Sequence, residues 1–359
     1  MQRKLGRGSV PLSSSNERPG LSRRRFLQSS AVAAGSTLLV GCSSPSQAQD
    51  WGVANIPSQA GRYALVTGGN GYPMGDISGL GYHTALQLAR AGADVTIASR
   101  KADRGAEAVR LIREAAPDSE VRFEQFDLTD LASVNAFTER MNSEGRPLDM
   151  LVNNAGVMGR LSMELSEDGH ERVFATNTLG HFAMTGQLMP LMRDGSQTRV
   201  VWVSSSRASR EPLDFETMRL PDPYDYGAAY NYTKLAAMEL AIEMERRSRA
   251  AGWAITSVAA HPGVARTHLI PDGPGPNSME GRRLRTMGAM FPPAEEGAVP
   301  LLFATTWPEA QGGHYYGPTG GPMRSGPPGE NDMREAALDP EASAALWTWL
   351  EELSGGSYG

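Results

Sequence analysis

The chain has 359 residues, which is enough for one large domain with a buried core. Its 34 lysines and arginines and 40 aspartates and glutamates give a formal net charge of −6. The first 42 residues hold seven basic residues and one acidic residue, so the rest of the chain has 27 basic and 39 acidic residues, a charge of −12. This acidity disfavours nucleic acid or an anionic membrane surface as the main partner. The six histidines are scattered without the spacing of metal ligands, so no metal site is expected.

The N-terminal segment resembles a bacterial export signal. Residues 22–28, Ser-Arg-Arg-Arg-Phe-Leu-Gln, are similar to the twin-arginine consensus, and an apolar stretch from Ala31 to Val40 follows. That stretch is too short to span a bilayer, which needs about 20 apolar residues. Residues 39–42 resemble a lipobox, whose cysteine is acylated, and Cys42 is the only cysteine of the chain. We therefore expect residues 1–42 to be a twin-arginine signal peptide with a lipobox.

This signal has consequences for organisation and location. Residues 43–61 are polar and rich in Ser, Gln and Pro, which predicts a flexible tether between the lipid anchor and the folded domain. The expected partners are then the twin-arginine export machinery and, through the lipid anchor, a membrane. The expected location is the periplasmic or outer face of a bacterial cell, with a cytoplasmic protein as the alternative. Without a second cysteine the chain cannot form an internal disulfide.

Beyond the tether, strand and helix patterns alternate. Residues 62–67 form a short apolar run that stops at two glycines, and Gly79-Leu80-Gly81 opens a helix-like stretch. Further strands are predicted at residues 94–99, 121–126, 148–152 and 199–203. The alternation predicts an α/β fold, namely a Rossmann-type doubly wound parallel sheet with three α/β/α layers and a single domain over residues 62–359. The glycines let the backbone approach a pyrophosphate at the N-terminus of a helix.

Tyr230 and Lys234 lie four residues apart in the run Ala-Tyr-Asn-Tyr-Thr-Lys. Residues at this spacing share one face of a helix, one turn apart, so a phenol and an ammonium group would lie side by side. A neighbouring positive charge favours the phenolate, and we therefore expect the pKa of Tyr230 to lie below the usual value of about 10. Such a phenol can donate or accept a proton near neutral pH.

The order of these motifs resembles that of the short-chain dehydrogenase/reductase family, and more closely that of its retinol-dehydrogenase-like members. The resemblance extends from about Arg62 to the C-terminal helix. The matching positions are Thr67-Gly68, Gly79-Leu80-Gly81, Asp127-Leu128, Asn153-Asn154-Ala155-Gly156, Asn177, Ser204-Ser205, Tyr230, Lys234, His261-Pro262-Gly263 and Thr267. His261 is interpreted as a structural residue beside the Pro-Gly turn.

The resemblance implies a role for each residue of the catalytic set. Tyr230 is the expected acid and Ser205 the hydrogen-bond donor to a carbonyl oxygen, while Ser204 is interpreted as a hydrogen-bonding residue at the end of a strand. Lys234 would lower the pKa of the phenol and hold the nicotinamide ribose. Asn177 would anchor a water molecule that links this lysine to solvent. From the residues alone, a helix N-cap or a satisfied polar group would be the favoured role of Asn177.

The resemblance also implies a nicotinamide nucleotide site. The expected contacts are Gly68, Gly79, Leu80, Gly81, Arg100, Asp127, Leu128, Asn154, Ala155, Gly156, Tyr230, Lys234, Val264 and Thr267. NAD enzymes place a carboxylate at the end of the second strand, and NADP enzymes place a basic group there. This chain has Ser99-Arg100-Lys101, with Arg104 close behind. NADP is therefore predicted, with Arg100 binding the 2′-phosphate.

One segment departs from the family pattern. Members usually have three residues between the Thr-Gly pair and the following Gly-x-Gly, whereas here residues 71–77 are inserted in that loop. Asp76 would repel a phosphate if it pointed inward. The insertion could weaken nucleotide binding, fold over the cofactor as a lid, or bulge into solvent, and the bulge is slightly favoured.

The sequence leaves the substrate and part of the function open. The variable segments are residues 207–229 and 265–293, and a Gly- and Pro-rich stretch from Tyr315 to Pro328 could close over the site. Their apolar residues permit a hydrophobic aldehyde, ketone or alcohol. The predicted function is NADP-dependent alcohol/carbonyl oxidoreduction. Reduction of a carbon-carbon double bond and a catalytically inactive membrane-tethered scaffold are the alternatives. Helices at residues 178–192 and 228–251 pair subunits in relatives, so a homo-oligomer is possible.

Overall fold

The coordinates are a computed structural model that describes residues 51–193, 197–320 and 325–358. The predicted signal peptide, Cys42 and the first part of the tether lie outside the described residues. Within the described part of the chain, no helix is both long enough and apolar enough to cross a membrane.

Eight strands form one sheet in the order β3-β2-β1-β4-β5-β6-β7-β8. The strands are β1 Tyr63–Thr67, β2 Asp94–Ser99, β3 Val121–Gln125, β4 Met150–Asn153, β5 Thr198–Val203, β6 Ile255–Ala260, β7 Tyr315–Gly320 and β8 Ser325–Asn331. Neighbours from β3 to β7 pair in parallel, and β8 pairs antiparallel with β7. The chain order reverses at β1, where the sheet continues on one side to β2 and on the other to β4. This is the topological switch point at which such sheets bind ligands.

Helices connect the parallel strands. They are α1 Leu80–Arg90, α2 Ala102–Ala115, α3 Leu131–Glu144, α4 Arg172–Phe174, α5 Gly180–Gln187, α6 Met189–Arg193, α7 Phe215–Arg219, α8 Tyr226–Ala251, α9 Met279–Met287, α10 Ala294–Thr306 and α11 Pro340–Ser354. Short 3-10 helices occupy Val53–Asn55, Gly288–Met290 and Glu335–Leu338, and Ala175–Leu179 is π-helical.

The sheet separates two hydrophobic cores. In β1, Leu65 packs into one core, whereas Ala64 and Val66 pack into the other. The central strands are buried on both faces because helices cover both sides of a parallel sheet. The predicted doubly wound, three-layer α/β architecture with one domain is thereby confirmed.

The packed part of the chain begins before the predicted boundary at residue 62. Trp51 is 8% exposed, and its ring meets that of Phe303 edge-on at 5.1 Å between centroids. Gln59 is buried, and its backbone N-H donates to the oxygen of Ala91. Residues 51–61, which the composition assigned to the tether, therefore pack against the Rossmann domain.

The described part of the C-terminal Gly- and Pro-rich stretch does not cover the site. Residues 315–320 form β7, residues 325–331 form the edge strand β8, and none of their side chains lies on the wall of the active-site cleft. Pro318 pairs with Pro328 in this antiparallel ladder, where an edge strand tolerates proline. These strands were not predicted from the sequence because glycine and proline are unfavourable in strands.

The predicted helix at residues 178–192 is also divided. The π-helical turn Ala175–Leu179 leads into α5, and α6 follows after Leu188. The predicted helix at residues 228–251 begins two residues earlier, at Tyr226, because Asp225 caps it by accepting a hydrogen bond from the backbone N-H of Ala228 at 2.8 Å.

Candidate active site

Thr67, at the end of β1, holds the glycine turn against the loop that follows β4. Its Oγ1 accepts hydrogen bonds from the backbone N-H groups of Asn154 and Ala155, both at 2.9 Å. The Asn154 side chain donates in turn to the Thr67 oxygen at 2.7 Å. Gly68 adopts φ 71°, and a Cβ there would lie 2.9 Å from the Cα of Ala155. Only glycine fits such an approach at a positive φ.

Beneath this turn lies a histidine that the sequence analysis did not single out. His181 is 1% exposed, and its Nε2 pairs with Thr67 Oγ1 at 2.9 Å. Burial, assisted by the charge of Lys234, lowers its pKa to about 3. The ring is therefore neutral and serves to orient Thr67. The i, i+4 spacing of His181 from Asn177 in a helix was the available signal.

The inserted loop is closed at its base. The Gly79 N-H donates to the Gly71 oxygen at 2.6 Å, and a Cβ on Gly71 would lie 2.9 Å from the Cα of Gly79. Both glycines lie on the cleft wall, whereas residues 72–78 do not. Asp76 is exposed and pairs with Arg266 at 3.4 Å. The excursion therefore comprises residues 72–78, one residue later than predicted, and bulges away from the nucleotide side of the cleft.

Ser205, Tyr230 and Lys234 meet on the wall of one cleft with a volume of about 980 Å³. The Ser205 hydroxyl lies beside the Tyr230 phenol. Lys234 Nζ donates to the Val203 oxygen at 2.8 Å and lies 5.5 Å from the centroid of the Tyr230 ring. Ser204 Oγ donates to the Lys234 oxygen at 2.6 Å, which agrees with its predicted place at the end of a strand.

The electrostatics of this pair differ from the expectation. Burial raises the pKa of Tyr230, and the Ser205 hydrogen bond and the Arg207 charge offset only part of that effect. Burial also lowers the pKa of Lys234 to about 8. The predicted lowering of the phenol pKa by Lys234 is therefore wrong for this structure, because desolvation of a buried group disfavours its charged form.

Asn177 lies in the π-helical turn, behind the cleft wall. Its Oδ1 accepts from the Val157 N-H at 2.8 Å, and its Nδ2 donates to the Val157 oxygen at 3.0 Å and to Thr233 Oγ1 at 3.1 Å. A Cβ on Gly156 would lie 3.4 Å from Lys234 Nζ and 3.5 Å from Asn177 Oδ1. Gly156 therefore lies between Asn177 and Lys234, and no side chain at this position separates the two residues.

Three cations gather at the carboxyl end of β2. Arg100, Lys101 and Arg104 all line the cleft. Arg100 lies 3.6 Å from Asp127, and Arg104 lies 3.9 Å from Asp272, with all four side chains partly exposed. Such exposed pairs are weak, so both guanidinium groups can turn towards a stronger anion.

The structure brings nearly all the predicted site residues together. The predicted residues on the cleft wall are Gly68, Gly79, Leu80, Arg100, Asp127, Leu128, Asn154, Ala155, Gly156, Ser205, Tyr230, Lys234, Val264 and Thr267. Gly81 and Asn177 stand behind this wall. A Cβ on Gly81 would meet Asn154 Nδ2 at 2.4 Å, so its role is close packing. His261 is fully buried, and its Nδ1 accepts from the Gly263 N-H at 3.1 Å, in agreement with a structural role.

Sequence reasoning missed a polar cluster on the substrate side of the cleft, the latch formed by Arg207, Tyr226 and Glu280. Glu280, on α9, accepts a hydrogen bond from Tyr226 at 2.7 Å and forms an ion pair with Arg207 at 2.9 Å. Tyr226 begins the helix that carries Tyr230, and the Arg207 N-H donates to Ser205 Oγ at 3.1 Å. The latch therefore joins α9 to both catalytic elements. No signal in the sequence linked these three residues, because 73 positions separate Arg207 from Glu280.

The Glu280 carboxylate is ionised in this setting. Burial opposes ionisation, but the hydrogen bonds from Tyr226 and Arg207 outweigh it and hold the pKa of Glu280 below its usual value. Around the latch, the cleft wall on this side is apolar. Its apolar members are Met158, Leu269, Ile270, Leu284 and Phe291.

A doubly wound sheet with a glycine turn at its switch point defines the class of nucleotide-binding α/β proteins. Within that class, the sequence profile described as short chain dehydrogenase matches residues 62–272, and the chain belongs to this family of oxidoreductases. The family uses nicotinamide cofactors.

Curated relatives and a solved structure agree with this assignment. A mouse (Mus musculus) polyprenol dehydrogenase is 37% identical over 72% of this chain and 75% of its own. A human retinol dehydrogenase 14 is 31% identical over 82% of this chain and 87% of its own. The crystal structure of an uncharacterized protein from Mycobacterium Paratuberculosis is 32% identical, with a TM-score of 0.69 over 86% of this chain and 99% of that one.

The residues present fit a nicotinamide nucleotide. Ser99 Oγ, at the end of β2 on the cleft wall, is buried and has no hydrogen-bond partner among the described residues. It adjoins the three cations. Gly68, Gly79 and Gly156 present bare backbone to the same cleft. A hydroxyl donor, cations and side-chain-free backbone are the groups that bind a ribose phosphate and a pyrophosphate.

Proposed function

We propose that this protein is an NADP-dependent oxidoreductase that interconverts an alcohol and its aldehyde or ketone. The observation that supports this most is the buried Tyr230 phenol, which lies beside Ser205 and one helical turn from Lys234. All three line the cleft that also contains the glycine turn. A binding protein without chemistry has no need of this combination.

The proposed mechanism assigns one task to each residue. When bound, the nicotinamide donates a hydride to the carbonyl carbon, or accepts one in the reverse direction. Tyr230 transfers its proton to the carbonyl oxygen, and Ser205 donates a hydrogen bond to that oxygen. Lys234 stabilises the phenolate that remains and binds the nicotinamide ribose. Asn177, close to the lysine, anchors water that returns the proton.

The preference for NADP rests on the end of β2. Arg100, Lys101 and Arg104 line the cleft there, beside the unpaired hydroxyl of Ser99. We assign Arg100 to the 2′-phosphate because a guanidinium group can bind it bidentately. A carboxylate that binds the ribose of NAD would be expected at the end of β2. The carboxylate of Asp127 lies instead after β3.

The proposed substrate class is a hydrophobic alcohol or aldehyde. Its support is the apolar wall formed by Met158, Leu269, Ile270, Leu284 and Phe291. Two relatives, a polyprenol dehydrogenase and a retinol dehydrogenase, are named for hydrophobic alcohols of this class.

The decisive experiment combines nucleotide binding with turnover. We expect NADPH to bind more tightly than NADH in a fluorescence titration and to be oxidised with retinal or a polyprenal. The substitution Tyr230→Phe should lower kcat by about 10²- to 10⁴-fold and leave the Kd of NADPH unchanged. Tyr232→Phe, two residues away in the same helix, is the matched control and should keep its activity.

Each alternative function predicts a different experimental result. Reduction of the carbon-carbon double bond of an enone that persists in Ser205→Ala would support a double-bond reductase. If a folded sample bound neither NADPH nor NADH, the hypothesis of a catalytically inactive tethered scaffold would replace that of an enzyme.

Export and lipidation are proposed for the N-terminal segment, on the sequence of residues 22–42. Cells fed radiolabelled palmitate should label the protein in the membrane fraction, and Cys42→Ser should abolish that label. An unlabelled protein recovered from the cytoplasm would favour the cytoplasmic alternative.

A further inference from the structure

Exposed apolar side chains concentrate at the mouth of the cleft. Of the nine large apolar side chains that the described chain exposes, five lie in two segments, residues 161–165 and 279–290, that adjoin residues lining the cleft. These five are Leu161 (62% exposed), Met163 (40%), Leu165 (55%), Met279 (68%) and Met290 (65%). Exposed apolar residues in such a concentration mark an interaction surface.

Their sequence neighbours place them at the rim. Arg160, beside Leu161, lines the cleft, and so do Glu280, beside Met279, and Phe291, beside Met290. Leu161, Met279 and Met290 are thus one residue away from the wall of the substrate side, and Met163 and Leu165 continue the segment that follows Arg160.

The same rim carries positive charge. Arg282, Arg283 and Arg285 on α9 are exposed. Arg282 and Arg285 donate to backbone oxygens of residues 277 and 276, and Arg283 lies 5.6 Å from the Phe291 ring centroid. None of the three forms an ion pair with a carboxylate among the described residues. Glu280, the only acid of α9, is already engaged by Arg207.

We propose that this rim, residues 161–165 and 279–290, docks on an anionic lipid bilayer, so that the cleft opens towards the membrane. Methionine and leucine enter the interface between headgroups and acyl chains, and the arginines pair with lipid phosphates, as in interfacial amphipathic helices. A hydrophobic alcohol or aldehyde dissolved in the bilayer then reaches Tyr230 without crossing water. This last step rests on the proposed function, whereas the docking does not.

The acidic chain as a whole does not oppose this arrangement. Charges beyond about 8 Å are largely screened at physiological ionic strength, so the local arginines decide the attraction to a surface. The charge of −12 carried by the residues after position 42 therefore disfavours contact of other faces of the molecule with anionic lipid rather than contact of this rim.

The test uses the full chain and its single cysteine. In a Cys42→Ser background, an environment-sensitive fluorophore is attached at Met279→Cys or Met290→Cys. The matched control is Val53→Cys, because Val53 is 41% exposed and lies beside the region where Trp51 contacts Phe303, away from the cleft. Vesicles of phosphatidylcholine with phosphatidylglycerol are compared with phosphatidylcholine alone.

We expect the emission at positions 279 and 290 to move to shorter wavelengths with the anionic vesicles and to stay unchanged at position 53. Added salt should reduce the shift. Arg282→Gln with Arg285→Gln should weaken vesicle partitioning about 30-fold, since each basic residue near an anionic surface contributes about 1 kcal/mol. Met279→Ser with Met290→Ser should also weaken vesicle partitioning. This second variant keeps the proposal testable if the arginine variant folds poorly.

Three results would overturn docking. One is an absent shift at both rim positions, and another is an equal shift at position 53. The third is a shift that follows protein concentration without vesicles, because a second copy would then cover the rim. NADPH titration of the same labelled proteins separates the two proposals, since nucleotide binding can fail while the vesicle response remains.

Discussion

At the scale of single residues, burial decides the proton chemistry of the site. Tyr230 is 5% exposed, and the resulting desolvation raises its pKa although a lysine lies one turn away. The same desolvation lowers the pKa of Lys234 to about 8. Because desolvation disfavours the phenolate, the phenol holds its proton until a substrate oxygen is in place to receive it.

Arg100 provides a test of cofactor preference. Arg100→Gln should raise the Kd of NADPH about 10- to 100-fold, since a charge-assisted hydrogen bond contributes about 1.5–3 kcal/mol, and should leave the Kd of NADH within about threefold. Fluorescence titration of both nucleotides measures this. Arg110→Gln, on the exposed side of the helix α2 that follows Arg100, is the control. An equal loss of affinity for both nucleotides would contradict the assignment of Arg100 to the 2′-phosphate.

At the scale of secondary-structure elements, the glycine loop shows how an insertion is tolerated. Gly71 and Gly79 close the loop base with a 2.6 Å hydrogen bond, so the seven residues between them leave the turn unchanged. Without these residues, Gly69-Asn70-Gly71 would stand between Thr67-Gly68 and Gly79-Leu80-Gly81, which is the family's own spacing.

Deletion of residues 72–78 should therefore be mild. We expect the shortened protein to fold and to bind NADPH within about threefold of the original Kd, because a loop of this length changes closure entropy by only about 1 kcal/mol. A control deletion of residues 71–77 removes Gly71 from the cleft wall and should weaken binding more. If the deletion of residues 72–78 abolished binding in a folded protein, the loop would be a lid over the cofactor.

The latch on α9 links substrate binding to the acidity of the phenol. Glu280→Gln leaves the Arg207 charge uncompensated, so the phenol pKa should fall and the acidic limb of kcat/KM for alcohol oxidation should move to lower pH. The loss of a charge-assisted hydrogen bond between α9 and the catalytic elements should also raise KM about 10-fold. Steady-state kinetics across pH measures both effects.

Two variants separate this role from general destabilisation. Tyr226→Phe removes one hydrogen bond of the latch but no charge, so KM should rise while the pH profile keeps its position. Glu309→Gln changes an exposed carboxylate outside the cleft and should alter neither. A pH profile of Glu280→Gln that matches the parent protein would refute the coupling to Tyr230.

At the scale of the whole molecule, one buried acid controls how stability depends on pH. Glu239 on α8 is 1% exposed, and neither carboxylate oxygen has a hydrogen-bond partner among the described residues. Burial, together with the charge of Asp339, raises its pKa to about 8. In the unfolded chain a glutamate titrates at about 4.3.

The sign of the effect follows from proton binding. Between about pH 4.3 and 8 the unfolded chain has released a proton that the folded protein retains, so the free energy of unfolding falls as pH rises and levels off above 8. Glu239→Gln removes this contribution and should raise the free energy of unfolding at pH 8 by on the order of 3 kcal/mol, with little change near pH 4. Denaturant unfolding at several pH values measures it, with Glu309→Gln as control. Parallel pH profiles for Glu239→Gln and the parent protein would contradict the assignment.

Much of this fold could be predicted because parallel strands and their helices leave local patterns. The strand at residues 94–99 was predicted at its observed bounds, since it is an uninterrupted run between helical patterns. Strands β7 and β8 were missed because glycine and proline disfavour a strand locally. Pairing of β7 with β6 and of β8 with β7 supplies the stability that the residues lack.

The sequence by itself determined the family, the doubly wound sheet and the candidate residues Ser205, Tyr230 and Lys234. These depend on local patterns and on the spacing within motifs, which can be read without knowing which distant segments are in contact. The tertiary structure alone decided what depends on burial and on long-range contact. It closed the excursion at residues 72–78, reversed the expected direction of the phenol pKa and joined Arg207 to Glu280. Desolvation and contacts between distant segments arise only when the chain is folded, so a linear pattern carries no record of them.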